Sequence, residues 1–445
     1  VLKNLAGRRI CIYTLGCRTN QYEGEALACS LVDAGAVLSE GPGCDAAVLV
    51  SCTVTSIADS KCRQVIRRIR RHSPEAIVAV CGCWAQRVPE SEARRLGVRL
   101  LVGNRRKAEL PKLLAECLSG GEGFVAHRGE VANCEDWDGL FLARPLIHTR
   151  AFVKVQEGCD QFCSYCAVPL ARGLPVSRPA DEVVREVRSI VASGCREVVI
   201  TGVHLALYGR NGETSLAGLM RRIASVEGLA RIRMGSIEPP GVDSELLEVL
   251  AGAAAFQPHL HIPLQSGDDR VLKLMNRGYS ARDYLDVLRR VRSFLGDEVH
   301  ISTDLMVGFP GEDEEAFASS MAFIREGGFG KVHVFPYSPR EGTRAFHMPG
   351  RVHPSDVSSR AEAALALGRE LLEGYCGRWV GREETLLVES ASPVAEGGVA
   401  FEGLTRHFLR AACEAEEGDS VRQGGVLRVL ITGAADGTLK GRLAG

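Results

Sequence analysis

Gln156-Glu157-Gly158-Cys159-Asp160-Gln161-Phe162-Cys163-Ser164-Tyr165-Cys166 packs three thiols into eight residues, directly after the apolar run Phe152–Val155. A tight loop at a strand end can turn all three sulfurs toward one centre. A 4Fe-4S cluster takes four ligands, so three cysteines leave one iron open to a small molecule. Zinc is the alternative, but its usual sets pair Cys-x-x-Cys units or add histidines, and no fourth ligand lies nearby in the sequence.

Outward from this loop, residues 150–345 alternate strands and helices. Strands are predicted at Phe152–Val155, Glu197–Thr201, Arg231–Gly235, His259–Ile262, Val299–Met306 and Lys331–Pro336. Helices are predicted at Asp181–Ala192, Leu216–Val226, Ser244–Ala253, Ala281–Phe294 and Glu312–Glu326. Six such units linked by right-handed crossovers curl into a barrel or partial barrel; a doubly wound open sheet is the competing arrangement. A further helix is expected over Ser355–Tyr375.

Residues 9–127 alternate too, with strands at Arg9–Thr14, Ala46–Val50, Ala76–Val80 and Val98–Val102. This is the pattern of an open α/β domain with a mostly parallel sheet. Cys17, Cys52 and Cys83 each follow one of these strands, 35 and 31 residues apart. That places three thiols at the carboxyl ends of parallel strands, the edge where open α/β sheets bind ligands. A second cluster with an open position fits this spacing, as does coincidence among sixteen cysteines. Cys81 lies two residues from Cys83 and is the alternative third ligand. The remaining cysteines read as small buried hydrophobes. Residues 128–148 lose periodicity, turn acidic and read as a linker. Residues 377–445 are punctuated by glycine and carry short strands, as in a small β-barrel.

Composition bounds the rest. The chain has 445 residues, 45% hydrophobic and 24% charged, enough for about three domains. Fifty-four basic and 55 acidic residues leave a net charge of −1, which excludes a simple polycationic nucleic-acid binder. No apolar run reaches a membrane span and the first residues hold no apolar signal core, so a cytoplasmic protein with reduced thiols is expected.

The words around the cysteines resemble those of the radical S-adenosylmethionine (SAM) methylthiotransferase family. They include Thr14-Leu-Gly-Cys17-Arg-Thr-Asn-Gln21, Ser51-Cys-Thr-Val-Thr55, Cys81-Gly-Cys-Trp-Ala-Gln86, Gln156 through Pro169, and Arg172-Gly173. Ser236-Ile-Glu-Pro239, His261 through Gly267, Asp304 with Val307 through Gly311, and Phe335-Pro-Tyr-Ser338 continue the match. The resemblance implies an N-terminal cluster domain over 1–127, a linker over 128–148, a partial (β/α)6 radical SAM barrel over 149–376 and a TRAM β-barrel over 377–445. It implies two 4Fe-4S clusters, on Cys17, Cys52 and Cys83 and on Cys159, Cys163 and Cys166. The open iron of the second set would be held by the amino and carboxylate groups of SAM, whose reductive cleavage needs an external electron donor. Tyr165 would pack near the adenine and Gly202 near the methionyl amino group, with Glu238 and Gln265 as further cofactor contacts. No catalytic residue beyond the cluster ligands is assigned.

The wording is most similar to the branch that adds a methylthio group to C2 of threonylcarbamoyladenosine beside the tRNA anticodon. A sister branch acts on isopentenyladenosine, and another on an aspartate of a ribosomal protein. A non-catalytic iron–sulfur carrier or RNA-binding protein is the alternative of another class. For tRNA, the run Lys61 through His72 supplies Arg67, Arg68, Arg70 and Arg71 on one predicted helix, as phosphate contacts or as a solvated basic face. Residues 377–445 hold eight basic against ten acidic residues. Either Arg406, His407 and Arg410 form a one-sided patch there, or the substrate is a basic protein.

Overall fold

The computed structural model describes residues 3–444 apart from 133, 135–136, 211, 213, 395–396 and 417. The chain packs into two compact units, one of residues 1–193, 201–213 and 338–346, the other of 194–200, 214–337 and 347–445.

The first unit is built on a six-stranded sheet in the order β2-β1-β3-β4-β5-β6, with every pairing parallel. The strands are β1 (Arg9–Thr14), β2 (Val37–Leu38), β3 (Ala46–Ser51), β4 (Ile77–Gly82), β5 (Leu100–Val102) and β6 (Val125–His127). All six residues of β3 are buried, as befits a parallel strand covered on both faces. Its cover comes from α1 (Arg18–Asp33), α2 (Ser56–His72), α3 (Cys83–Arg87), α4 (Glu90–Arg95) and α5 (Leu110–Leu118). Helix α2 shows the local logic. Thr55 caps it by accepting from the Ala58 amide, and Cys62, Ile66 and Ile69 form its buried stripe at helical spacing. Strands β2 and β6 and helix α3 are too short to give a period, so the sequence pattern misses them.

The same unit holds β7 (Ala151–Glu157), β8 (Val176–Ser177), α6 (Val168–Arg172) and α7 (Ala180–Ala192). Every residue of β7 is buried, Lys154 included. Among its described residues the expected linker over 128–148 carries no helix or strand, but it is not a loose tether. Asp138, Leu140 and Leu142 are buried in it, Tyr22 donates to the Leu140 carbonyl at 2.9 Å, and Glu25 accepts from the amides of Leu146, Ile147 and His148. Positions 133, 135 and 136 of this stretch lie outside the described residues.

In the second unit β9 (Glu197–Gly202), whose last two residues are counted with the first unit, pairs in parallel with β10 (Arg231–Met234). Strands β11 (His259–His261), β12 (His300–Val307) and β13 (Lys331–Pro336) form a parallel trio. Single parallel bridges, Ile232 to Phe256 and Ser236 to His261, join the two sets. Helices α8 (Leu216–Ala224), α9 (Ser244–Gly252), α10 (Asp269–Leu274), α11 (Ala281–Leu295) and α12 (Glu314–Gly327) alternate with these strands, the βα repeat of a partial barrel.

Helix α13 (Pro354–Gly377) leads into a closed barrel of β14 (Glu383–Pro393), β15 (Val399–Thr405), β16 (Arg410–Ala415), β17 (Val426–Ala435) and β18 (Thr438–Leu443), in the order β14-β15-β16-β18-β17. Tyr375 and Cys376 of α13, with Trp379, belong to this barrel's core. The loop 404–408 docks on β10 and the amino end of β11. Arg233 donates to the carbonyls of Thr405 (2.6 Å) and Arg406 (3.0 Å), and the Phe408 ring stacks on His259 at 4.4 Å.

His407 is therefore no part of a basic surface patch. It is 5% exposed, packs 4.0 Å from the Trp379 ring and faces Glu384 at 3.1 Å. Burial lowers its pKa, although Glu384 opposes the shift. Arg406 and Arg410 stay on the surface, where Arg410 lies 3.6 Å from Glu402.

Candidate metal centres

The first trio of cysteines sits on three neighbouring strands of one sheet. Cys17 follows β1 as the N-cap of α1, Cys52 follows β3, and Cys83 follows β4 as the first residue of α3. Because β1, β3 and β4 are adjacent and parallel, their carboxyl ends bring the three loops to one edge. Two glycines make the approach possible. A Cβ on Gly16 would lie 2.7 Å from the Cys52 sulfur, and one on Gly82 2.7 Å from the Ser51 carbonyl oxygen; both glycines have positive φ. Asn20 braces the edge by donating to the Ser51 carbonyl at 3.1 Å, while the Cys17 thiol points at its Oδ1 from 3.7 Å.

Burial pushes the Cys52 thiol up to about 12, and the neighbouring Cys83 and Cys17 sulfurs add to the shift. Burial also raises Cys83, with Arg172 working against it. Cys81 is fully buried within β4; burial pushes it to about 12 as well, and its charged neighbours are Lys107, Glu23, Cys83 and Arg172. Buried thiols of this kind become thiolates only beside positive charge. A guanidinium supplies some. Arg172 Nε donates to the Cys83 sulfur at 3.0 Å, and its other nitrogens donate to Asn20 Oδ1 (2.7 Å), Glu23 (3.0 Å) and Glu157 (2.8 Å).

Behind this arginine lies a buried ionic cluster. Lys154 reaches Glu23 (3.1 Å), Glu157 (2.9 Å) and Asp138, and Lys107 reaches Glu23 at 2.9 Å. The ligand atoms of Glu23, Asp138 and Glu157 lie within 4.8 Å of one another, the spacing of a metal-binding trio. Three cations already fill that space, so the carboxylates need no ion. Burial opposes the Glu23 anion, but Arg172, Lys107 and Lys154 overcome it and hold the group at about 2.

The second trio follows β7. Gly158 has φ +74°, and a Cβ there would meet the Leu174 carbonyl oxygen at 2.0 Å. The Cys159 amide donates to the Gly173 carbonyl at 2.9 Å, so the loop starts against the turn that ends α6. Phe162 has φ +46° and is 54% exposed; this left-handed residue bends the chain so that Cys163 and Cys166 follow in a second short turn, closed by a 2.9 Å bond from the Cys166 amide to the Cys163 carbonyl. Cys159 is nearly buried, and Cys163 and Cys166 are half-buried. Three thiols on one bent loop, reachable from solvent, suit a cluster with an open coordination position.

Tyr165 is half-buried in this loop. Gly202 ends β9, where a Cβ would crowd Gln156 and Leu205 at 3.0 Å. Two residues later, His204 donates its amide to Gln156 Oε1 (2.7 Å) and its ring Nε2 to Gln161 Oε1 (2.8 Å), which links the Gly202 turn to the cysteine loop. Glu238 and Gln265 belong to the other unit. Glu238 is ion-paired with Arg277. Gln265 is buried at φ +73°, and its side-chain Oε1 meets no hydrogen-bond donor among the described residues. An orphaned buried amide oxygen in a matched motif fits a ligand contact.

Arg67, Arg68, Arg70 and Arg71 are all exposed, but not equivalent. Arg68 lies over the Tyr13 ring at 5.4 Å, and Arg70 donates to the Pro74 carbonyl at 2.6 Å. Arg67 and Arg71 remain for outside partners. All four sit in the last turns of α2, whose first turn follows Cys52.

In the sequence Arg172 stands out only as part of a motif, and Glu23, Lys107, Asp138 and Lys154 carry little sign of a role. One signal was available: Lys154 interrupts the apolar run Phe152–Val155, and a lysine inside a buried strand demands a partner.

Residues 153–324 match the radical SAM superfamily, and residues 9–103 match the group described as uncharacterized protein family UPF0004. The threonylcarbamoyladenosine tRNA methylthiotransferase MtaB of Bacillus subtilis is 33% identical over 92% of this chain and 91% of its own length. A tRNA-2-methylthio-N(6)-dimethylallyladenosine synthase of Cereibacter sphaeroides is 34% identical over 98% of this chain and 99% of its own. Among solved structures, the radical SAM methyltransferase TsrM of Kitasatospora setae shares the fold, with a TM-score of 0.56 at 15% identity over 76% of this chain and 74% of that one. Two thiol trios at loop ends, a SAM-barrel strand pattern and full-length relatives above 30% identity agree: the chain belongs to the radical SAM methylthiotransferase family.

Proposed function

We propose that this enzyme adds a methylthio group to C2 of threonylcarbamoyladenosine beside the anticodon of tRNA, using two 4Fe-4S clusters and SAM. Cys159, Cys163 and Cys166 would hold the SAM-binding cluster, and Cys17, Cys52 and Cys83 the other. The observation that carries the two-cluster reading is the gathering of Cys17, Cys52 and Cys83 at three adjacent strand ends of the unit that also contains the second loop.

An adenine C2–H has no useful acidity, so general acid–base or nucleophilic side chains have little purchase on it. When bound, SAM and the clusters supply the carbon radical and the sulfur that such a position requires. The protein's own groups position. Gly158 and Phe162 bend the loop that presents Cys159, Cys163 and Cys166. Tyr165 and Gly202, near that loop, and Glu238 and Gln265 are the proposed SAM contacts. The buried Arg172 offsets thiolate charge at Cys83. Arg67 and Arg71, with Arg406 and Arg410, are the proposed tRNA phosphate contacts. An external electron donor completes the system.

The Bacillus relative, at 33% identity, favours threonylcarbamoyladenosine, and the Cereibacter relative, at 34% identity and greater coverage, favours dimethylallyladenosine. Nucleoside analysis of tRNA from a deletion strain decides. Loss of the methylthio form of threonylcarbamoyladenosine is expected. Loss of the dimethylallyl form instead assigns the sister substrate, and unchanged tRNA redirects the search to an aspartate of a ribosomal protein.

A further inference from the structure

Arg172 is the last residue of α6, six residues after Cys166, yet its Nε donates to the sulfur of Cys83. The side chain is 2% exposed, and no solvent competes for its donors. NH1 is shared between Glu23 and Glu157, and NH2 reaches Asn20, which itself spans the Leu15 and Ser51 carbonyls at the ends of β1 and β3. The next residue, Gly173, accepts the Cys159 amide, and a Cβ on Gly173 would stand 1.8 Å from the Val131 carbonyl oxygen. One short turn thus carries the start of the SAM loop on its backbone and a ligand of the other centre on its side chain.

We infer that Arg172 is a positioning residue that fixes the Cys83 thiolate, sets the reduction potential of the Cys17/Cys52/Cys83 cluster and holds that cluster in register with the Cys159 loop. This rests on the two-cluster reading above. An N–H donated to a ligating sulfur stabilises the electron-rich, reduced form and raises the potential. A fixed positive charge acts in the same direction. Glu23 and Glu157 prevent the guanidinium from rotating away, because its fork is matched to their oxygens.

Lysine cannot replace this arginine, since a single ammonium cannot meet a sulfur, an amide oxygen and two carboxylates in one plane. The test uses the full chain carrying Cys159, Cys163 and Cys166 changed to Ala, so that only the first-domain cluster is read. Anaerobically reconstituted parent, R172K and the charge-balanced double variant R172Q/E157Q are compared by iron and sulfide content, circular dichroism, and redox titration followed by electron paramagnetic resonance. The expected result is a midpoint shifted to more negative values in both variants, with a changed signal shape. R172Q/E157Q should shift further, since R172K keeps the charge. Removing the carboxylate together with the arginine avoids an unpaired buried anion, so the double variant remains informative where R172K fails to fold. A folded variant with full iron content and the parent's midpoint and signal overturns the inference. A parent that binds no cluster overturns the two-cluster reading itself, and the inference with it.

Discussion

Two buried arginine clusters sit at opposite ends of parallel strands. In the first unit Arg172 lies at the carboxyl ends of β1, β3 and β4, with Glu23 and Glu157 at its side and a cysteine sulfur in front of it. In the second unit Arg231 and Arg233 share Glu197 at the amino ends of β9 and β10, at 2.8 and 2.9 Å. Arg231 also donates to the main-chain carbonyl of Leu404, and Arg233 to those of Thr405 and Arg406, in the small barrel. The chemistry is similar, but the partners differ. Carbonyls and a carboxylate consume the second cluster's donors, so it acts as an adhesive between the SAM-barrel strands and the C-terminal barrel. The first cluster presents a donor to a group with chemistry of its own. A buried charge network marks a site when it ends on a reactive atom at the carboxyl edge, and marks docking when it ends on backbone at the amino edge.

The largest expected effect isolates the first unit. Changing Cys159, Cys163 and Cys166 to Ala should abolish reductive SAM cleavage and remove about half of the bound iron if, as proposed, each trio holds its own cluster. Iron analysis and chromatography of 5′-deoxyadenosine check this. Loss of all iron in a folded protein would merge what the comparison separates.

Breaking the second cluster should do the reverse. Arg233→Met takes one arginine from the buried Glu197 and one donor each from the Thr405 and Arg406 carbonyls, of which Thr405 keeps the Phe408 amide, at a cost of about 3–5 kcal/mol. Denaturant unfolding should show the loss, while iron content and SAM cleavage in the folded fraction stay near normal.

Acid should also act on the docking end first. Burial holds His300 at about 3 and His407 below its ordinary value. Below about pH 6.5 the unfolded chain takes up protons that these native imidazoles refuse, so stability falls with pH, by up to about 1.4 kcal/mol per unit for His300. The loss for His300 continues to about pH 3. In the first unit Glu23 contributes only lower, since it is held at about 2 from an ordinary value near 4.5, and burial raises Glu186, which acts in the opposite sense. Stability measured from pH 6.5 to 5 therefore reports the docking end, and His300→Asn, which retains a donor toward the His407 carbonyl, should flatten that slope.

The smallest effect belongs to α2. Arg67→Gln with Arg71→Gln should weaken tRNA binding and reduce the salt slope by about one to two units, whereas Arg68→Gln with Arg70→Gln should change it less. Equal, negligible changes in both pairs would make this a solvated helix face.

The strand–helix alternation, the two cysteine trios and the small C-terminal barrel were legible in the sequence, because each rests on local pattern: period, spacing and turn residues. Strand β3 is an unbroken apolar run, and Cys159–Cys166 lie on one loop, so neither needs the rest of the chain to be recognised. Elements of two to five residues, β2, β6, β8, α3 and α6, carry too little pattern. His407 reads as a surface cation and is buried, because its surroundings are set by Trp379 and Glu384, 28 and 23 positions away.

The sequence by itself determined which thiols stand at strand ends, since a strand's length and its following turn are encoded in neighbouring residues. Only the tertiary structure decided that β1, β3 and β4 are adjacent, that Cys83 and not Cys81 meets Arg172, and that Lys154 and Lys107 neutralise Glu23, Asp138 and Glu157. Those facts join residues up to 131 positions apart. Sequence spacing does not order such contacts, and in a low-dielectric interior it is the distance between charges that fixes what each one does.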